Sequence, residues 1–180
     1  MKKDIIFLLI ILIILIPVLN LKVFSTENIN TGSEKGNFCE EDCIFVYNNK
    51  IFPLKTEVTG LLEELGEDYN IYCAPSCVYK GEDKEFEYEG LTIFTFPREE
   101  EKDIIDEILI TGKSYQTAKG VTIGSSLKEI EKQYGKNYMK EENIVTYIVD
   151  FKDDTSTRLI FVFNQDNLVE MISFYSPSNM

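Results

Sequence analysis

The sequence predicts an α+β fold: two tandem copies of a short helix plus an antiparallel β-meander, with the helices packed on one face of the sheet. Three observations carry this prediction. The first is an internal repeat at a constant offset of 69 residues. Phe52 and Leu54 fall against Val121 and Ile123, Thr56 against Ser125, and Val58, Leu61 and Leu65 against Leu127, Ile130 and Tyr134. Gly66 falls against Gly135 and Tyr69 against Tyr138. The second is helical spacing within each copy. Val58, Leu61, Leu62 and Leu65 stand at i, i+3, i+4 and i+7, one apolar stripe of a short amphipathic helix. The third is a run of alternating or β-branched segments separated by polar turns, which reads as a meander.

The elements follow in chain order. Met1-Lys2-Lys3-Asp4 precedes an uncharged apolar run that continues to Leu21, a stretch of 17 residues from Ile5. A basic start followed by such a run is an export signal, and the length sits at the lower limit for spanning a bilayer. Residues 1–25 are therefore a signal peptide, cleaved after Ser25, or an uncleaved N-terminal membrane anchor. Either places the remainder outside the cytoplasmic membrane, secreted or held at its outer face. Residues 26–43, largely polar, read as a flexible linker. The first repeat occupies 44–112 and the second 113–180.

In the first repeat Thr56 is a fair N-cap and Gly66 ends the helix. Strands are expected over 77–80, 85–88, 91–97 and 104–110. In the second, Ser126-Leu127-Lys128-Glu129 has the capping-box pattern, Gly135 closes the helix, and strands are expected over 144–151, 157–164 and 168–175. Both helices are too short to persist alone, so each must dock on the sheet.

Composition removes several functions. The chain has 180 residues, 31 Asp and Glu against 18 Lys and Arg, and a net charge of −13. Such a surface repels phosphate backbones, which argues against a nucleic-acid partner. Histidine is absent, which excludes Ser-His-Asp and Cys-His catalysis and His-ligated metals. The acidic clusters Glu40-Glu41-Asp42, Glu99-Glu100-Glu101 with Asp103, and Asp150 with Asp153-Asp154 do not match a calcium loop with its alternate ligands and glycine. They read as solvated negative surface. No catalytic, cofactor-binding or metal residue is assigned.

Cys39, Cys43, Cys73 and Cys77 are the only thiols. An even count in an exported chain favours disulfides. The best pairing joins the Cys39/Cys43 segment to the Cys73/Cys77 segment, because longer closed loops constrain the unfolded chain more. An all-cysteine zinc site and thiol redox chemistry are the alternatives, although three residues separate each pair where those motifs use two. Among the aromatics, Phe94, Phe96, Phe161 and Phe163 alternate at strand period and read as core. Phe86 and Tyr88 alternate with Glu85, Glu87 and Glu89. That strand has an aromatic and an acidic face, so Phe86 and Tyr88 are the partner-binding candidates, with core packing the simpler alternative.

The stretch Lys119-Gly120-Val121-Thr122-Ile123-Gly124-Ser125-Ser126-Leu127, ending at Tyr134-Gly135, resembles the recurrent opening of β-lactamase-inhibitory-protein-like repeats. The same half-unit occurs in small lipoproteins of the barrel-assembly machinery. Ser76-Cys77-Val78-Tyr79-Lys80-Gly81-Glu82-Asp83-Lys84, leading into Glu89-Gly90-Leu91, is similar to uncharacterised exported proteins and lipoproteins of Gram-positive anaerobes. The resemblance spans about residues 44–175 and implies a tandem repeat. Because tryptophan and histidine are absent, it carries over no inhibitor contact residue. The function expected is an exported, non-enzymatic binding protein acting on a protein or envelope partner. A membrane-anchored envelope assembly factor and a carboxylate-based hydrolase are the alternatives.

Overall fold

The computed structural model describes residues 38–98 and 102–177. A 3-10 turn, Glu40–Asp42, leads into the hairpin of β1 (Ile44–Tyr47) and β2 (Lys50–Pro53), then α1 (Thr59–Leu65). The meander β3 (Asn70–Pro75), β4 (Glu82–Tyr88), β5 (Leu91–Arg98) and β6 (Lys102–Ile110) follows. After α2 (Leu127–Tyr134) come β7 (Met139–Glu141), β8 (Ile144–Ile148), β9 (Arg158–Phe163) and β10 (Val169–Tyr175). Apart from the β1–β2 hairpin, all strands belong to one antiparallel sheet of eight, ordered β3-β4-β5-β6-β10-β9-β8-β7.

This corrects the α+β expectation of tandem helix-plus-meander copies. Among the described residues the protein is mostly β, with 47% strand and 13% helix, the latter in two short segments and a 3-10 turn. The physical reason lies at the centre of the sheet. β6 pairs with β10 through Ile110↔Ile172, Leu109↔Ser173, Ile108↔Phe174 and Glu107↔Tyr175. Two separate units would each leave this strand edge open, and pairing them removes both edges and merges the cores. The second meander also has four strands, one more than the alternation pattern suggested.

α1 starts later than expected because its lead-in residues are tied to β6 by backbone hydrogen bonds. Lys55 N–H donates to Ile105 C=O at 2.8 Å, and Ile105 N–H donates to Thr56 C=O at 2.9 Å. With 55–56 held on β6, α1 starts only at Thr59, its cap is Val58, and the Thr56 hydroxyl donates instead to Pro53 C=O. In α2 the capping box forms as read: Ser126 N–H donates to Glu129 Oε2 at 2.7 Å. Gly66 and Gly135 close the helices at φ +89° and +80°, a region open to glycine at little cost. Each terminal carbonyl is then claimed by a tyrosine. Tyr88 hydroxyl donates to Gly66 C=O at 3.0 Å and Tyr147 hydroxyl to Gly135 C=O at 2.7 Å.

Segment 77–80, expected as a strand, is the β3–β4 connection. The Ser76 hydroxyl accepts from Val78 N–H and Tyr79 N–H, the local side-chain turn that serine offers in place of a ladder. The strand lies earlier, at β3, where the sequence reading placed none.

One face of the sheet is covered. Phe86, Ile93 and Ile108 lie side by side on β4, β5 and β6, continued by Phe174, Leu159 and Tyr147 on β10, β9 and β8. Leu61 of α1 and Ile130 and Tyr134 of α2 pack into this core. Residues 38–43, assigned to the linker by composition, belong to it too. Phe38 is only 5% exposed, and its ring lies 5.9 Å from that of Tyr134 and 5.4 Å from that of Tyr147. Asp42 is also buried, and its carboxylate meets Lys119 Nζ at 2.7 Å, with that ammonium 4.8 Å above the Tyr134 ring. An aromatic anchor and a screened ion pair thus dock a segment whose composition alone looks unstructured. The export signal or anchor, and the linker before residue 38, lie outside the described residues. Among the described residues no helix is long and apolar enough to cross a membrane.

Candidate functional site

The second face of the sheet carries the mixed surface. Ladder register places Thr92, Leu109, Ser173, Ile160 and Thr146 in one row across β5, β6, β10, β9 and β8. Met171, Val162 and Ile144 form a shorter row beside it, and Phe94, Glu107, Tyr175 and Arg158 another. Ser173 hydroxyl donates to Glu107 Oε1 at 2.6 Å, which ties the first and third rows together within a partly exposed surface of apolar and polar side chains. The helices and the β1–β2 hairpin pack into the core on the opposite side: Leu61, Ile130 and Phe45 are all members of it. Over this second face, among the described residues, we find Tyr79, whose ring stacks on Phe96 with centroids 5.0 Å apart.

That stack bounds a cavity of about 400 Å³ against β3, with Tyr72, Phe94, Asp83, Glu85, Asp106 and Glu107 among its lining residues. Asp106 is the extra residue of a β-bulge: Phe94 faces Glu107 while Thr95 faces Ile105. Bulges re-aim a side chain that regular pleating would place elsewhere. One carboxylate oxygen each of Asp83 and Asp106 is buried without a hydrogen-bond partner. Burial, then the charge of Glu107, push the Asp106 carboxyl above the ordinary carboxylate range, only partly countered by Lys55. Lys84, the cation nearest this cluster along β4, is already engaged by Asp103 at 2.8 Å.

The residues singled out by the sequence fall as follows. Phe86 and Tyr88 are 3% and 8% exposed and belong to the core, against Tyr69 at 5.3 Å. They present nothing to a partner. Phe161 and Phe163 are core as read, but Phe94 and Phe96 line the cavity on the other face. Period two assigns these rings to one side without saying which side is covered. The sequence reading did not find Ile71 and Tyr72 of β3, nor the bulge at Asp106, which has no sequence signal of its own. A second cavity, of about 520 Å³, brings Glu40 and Glu41 together with Asp150 and Asp153. Among the described residues no group of three or more Cys, Asp or Glu is placed to hold a metal. Residues 99–101 of the remaining acidic cluster lie outside the described residues.

The cysteines of the Cys39/Cys43 and Cys73/Cys77 segments lie without disulfide geometry, Cys43 buried and the others exposed. The segments occupy different surroundings: Cys43 lies beside Val149 and Ser156 at the second cavity, and Cys73 in edge strand β3 at the first. Burial, followed by the charges of Glu40 and Asp42, pushes the Cys43 thiol far above its ordinary range. Since the thiolate is the nucleophile, iodoacetamide at pH 8 should modify the exposed Cys73 and Cys77 of the reduced, folded protein readily, and Cys39 more slowly because a hydrogen bond to Glu41 raises its thiol. Cys43 should react only after denaturation. Equal rates at all four, followed by peptide mass mapping, would refute the burial argument.

No family model, curated protein or solved structure matches this chain.

Proposed function

We propose that this chain acts outside the cytoplasmic membrane as a non-enzymatic binding protein, and that its partner is a protein or cell-envelope component. One observation supports the reading above others: the rows Thr92-Leu109-Ser173-Ile160-Thr146 and Met171-Val162-Ile144 form a broad second sheet face of apolar and hydroxyl side chains. An antiparallel sheet with one face on the core leaves its other face to solvent or to a partner, and mixed surfaces with apolar centres are what interfaces use. The expected export signal supplies the location.

The experiment is affinity capture from cell-surface extracts with residues 26–180 as bait, washed across a salt series. A specific partner stays bound at salt that screens surface charge, and Val162→Glu and Met171→Glu lower its recovery by about tenfold or more. Melting temperatures of the variants should change by only a few degrees. Capture that vanishes on modest salt, or that ignores both substitutions, would count against the reading. N-terminal sequencing of the exported protein separates the secreted form from the anchored assembly factor.

A further inference from the structure

The two outer strands of the sheet are built differently. β7, at one end, is three residues long and carries Lys140 and Glu141. Short length and charge are the usual protections of a sheet edge. β3, at the other end, has six residues, Asn-Ile-Tyr-Cys-Ala-Pro, all exposed and none charged. Ile71 and Tyr72 are 49% and 55% exposed. Among the described residues β3 pairs only with β4, in register from Asn70↔Glu87 to Pro75↔Glu82. Its outward backbone donors and acceptors therefore stand as a template for one more strand.

The flanking cavity selects what that strand carries. Tyr72 and Ala74 point to the same face as Glu85 and Asp83, their partners on β4, and both line the cavity. Alternate side chains of an added strand fall on that face as well. There they meet the aromatic walls of Tyr72 and Phe94 and the carboxylates of Glu85, Asp106 and Glu107. Buried carboxylates without partners are unfavourable until a donor reaches them, and an aliphatic shaft ending in a cation suits both walls and floor. A second copy fits poorly, because each chain carries a net charge of −13 and two such chains repel.

We infer that β3 is a docking edge for an extended basic segment of a partner protein, which joins the sheet as another strand and sets a lysine or arginine side chain into the adjacent acidic, aromatic-walled cavity. This rests on reading the chain as a binding protein, but it uses an edge distinct from the central rows of the second face. Strand addition supplies affinity through backbone hydrogen bonds, and the cavity supplies the choice of charge.

The test uses a fluorescent peptide of about eight alternating lysines and valines. Its controls are the glutamate-valine counterpart and a backbone-N-methylated lysine-valine peptide that keeps the charge and loses the donors. Anisotropy gives affinity, and hydrogen exchange of the full domain reads the amides of residues 70–74. The lysine-valine peptide should bind and slow exchange at alternate β3 amides, with both controls weaker by about tenfold or more. Ile71→Lys, which guards the edge, and Asp106→Asn, which removes one of the cavity's carboxylates, should each weaken binding by a similar factor. Asp106→Asn should keep or raise the melting temperature, so its loss of binding does not report unfolding. Equal binding of the methylated peptide, unchanged exchange at 70–74, or no binding at all would overturn the inference. So would concentration-dependent dimerisation that protects β3 without peptide. Partner capture that survives Ile71→Lys but not Val162→Glu would leave the proposed function standing and remove strand addition alone.

Discussion

Leu61→Asp or Ile130→Asp should each unfold the whole protein. Both side chains are fully buried in the shared core. They sit on helices of seven and eight residues, which have no stability apart from docking. An aspartate there loses the transfer energy of the apolar group and places a carboxylate with no partner in the core, together a loss of about 4 kcal/mol or more. Small domains have roughly 5–15 kcal/mol in all. Because β6 and β10 join the halves through four cross-strand pairs, the two halves should fail together. Circular dichroism would show one cooperative loss, and the alanine variants, which create only a cavity, should melt lower but fold, at a cost of about 2–5 kcal/mol. If Ile130→Asp left the amides of 82–98 protected against exchange, the halves would be independent and the shared core would be the wrong picture.

What could be read in the sequence was local. The capping box at Ser126, the glycine stops at Gly66 and Gly135, and most strands of both meanders are set by turn chemistry and alternation, which act over a few residues. The architecture depended on events at long range. Whether two meanders stay apart or zip into eight strands is decided by complementarity of β6 and β10, whose paired residues lie over 60 positions apart in sequence. The same limit hid the candidate surface. Alternation showed that Phe94 and Phe96 share a side, and that Phe86 and Tyr88 share one, but the choice of covered side depended on where the helices docked. The sequence reading offered the aromatic side of β4 as a partner surface with core packing as the simpler alternative, and the core claimed it because burying two rings outweighs burying Glu85 and Glu87. β3 escaped notice since Asn-Ile-Tyr-Cys-Ala-Pro has neither alternation nor a charged boundary, and for the same reason it stands unguarded at the edge.

The second large effect is alkaline. Between about pH 10 and about 12 the fold should collapse in a single transition, with the phenols ionising as it does. Burial raises the phenols of Tyr88 and Tyr138 to about 12, assisted at Tyr138 by its hydrogen bond to Glu131. It pushes those of Tyr134 and Tyr147 higher still. In the unfolded chain each would lose its proton near its ordinary value of about 10. The folded state therefore binds these protons more tightly. The stability they confer is complete below about pH 10 and is lost as the pH climbs toward the folded values. Each phenol held protonated removes about 1.4 kcal/mol per pH unit once the unfolded chain ionises. Four of them together exhaust a typical stability within roughly one to two units. The geometry makes the loss cooperative: Tyr147 hydroxyl donates to the carbonyl that ends α2. Its ring also lies within 5.5 Å of those of Phe38, Tyr134 and Tyr138. A phenolate there would face the Gly135 carbonyl with no proton to give. Absorbance at 295 nm should rise in more than one step, with a steep second step coincident with the loss of circular dichroism. Tyr147→Phe should shift that second step to higher pH while lowering stability at neutral pH by about 1 kcal/mol for the lost hydrogen bond. A single smooth titration of all tyrosines near 10, with the fold intact, would mean these phenols are open to solvent and the aromatic cluster around Phe38 does not close.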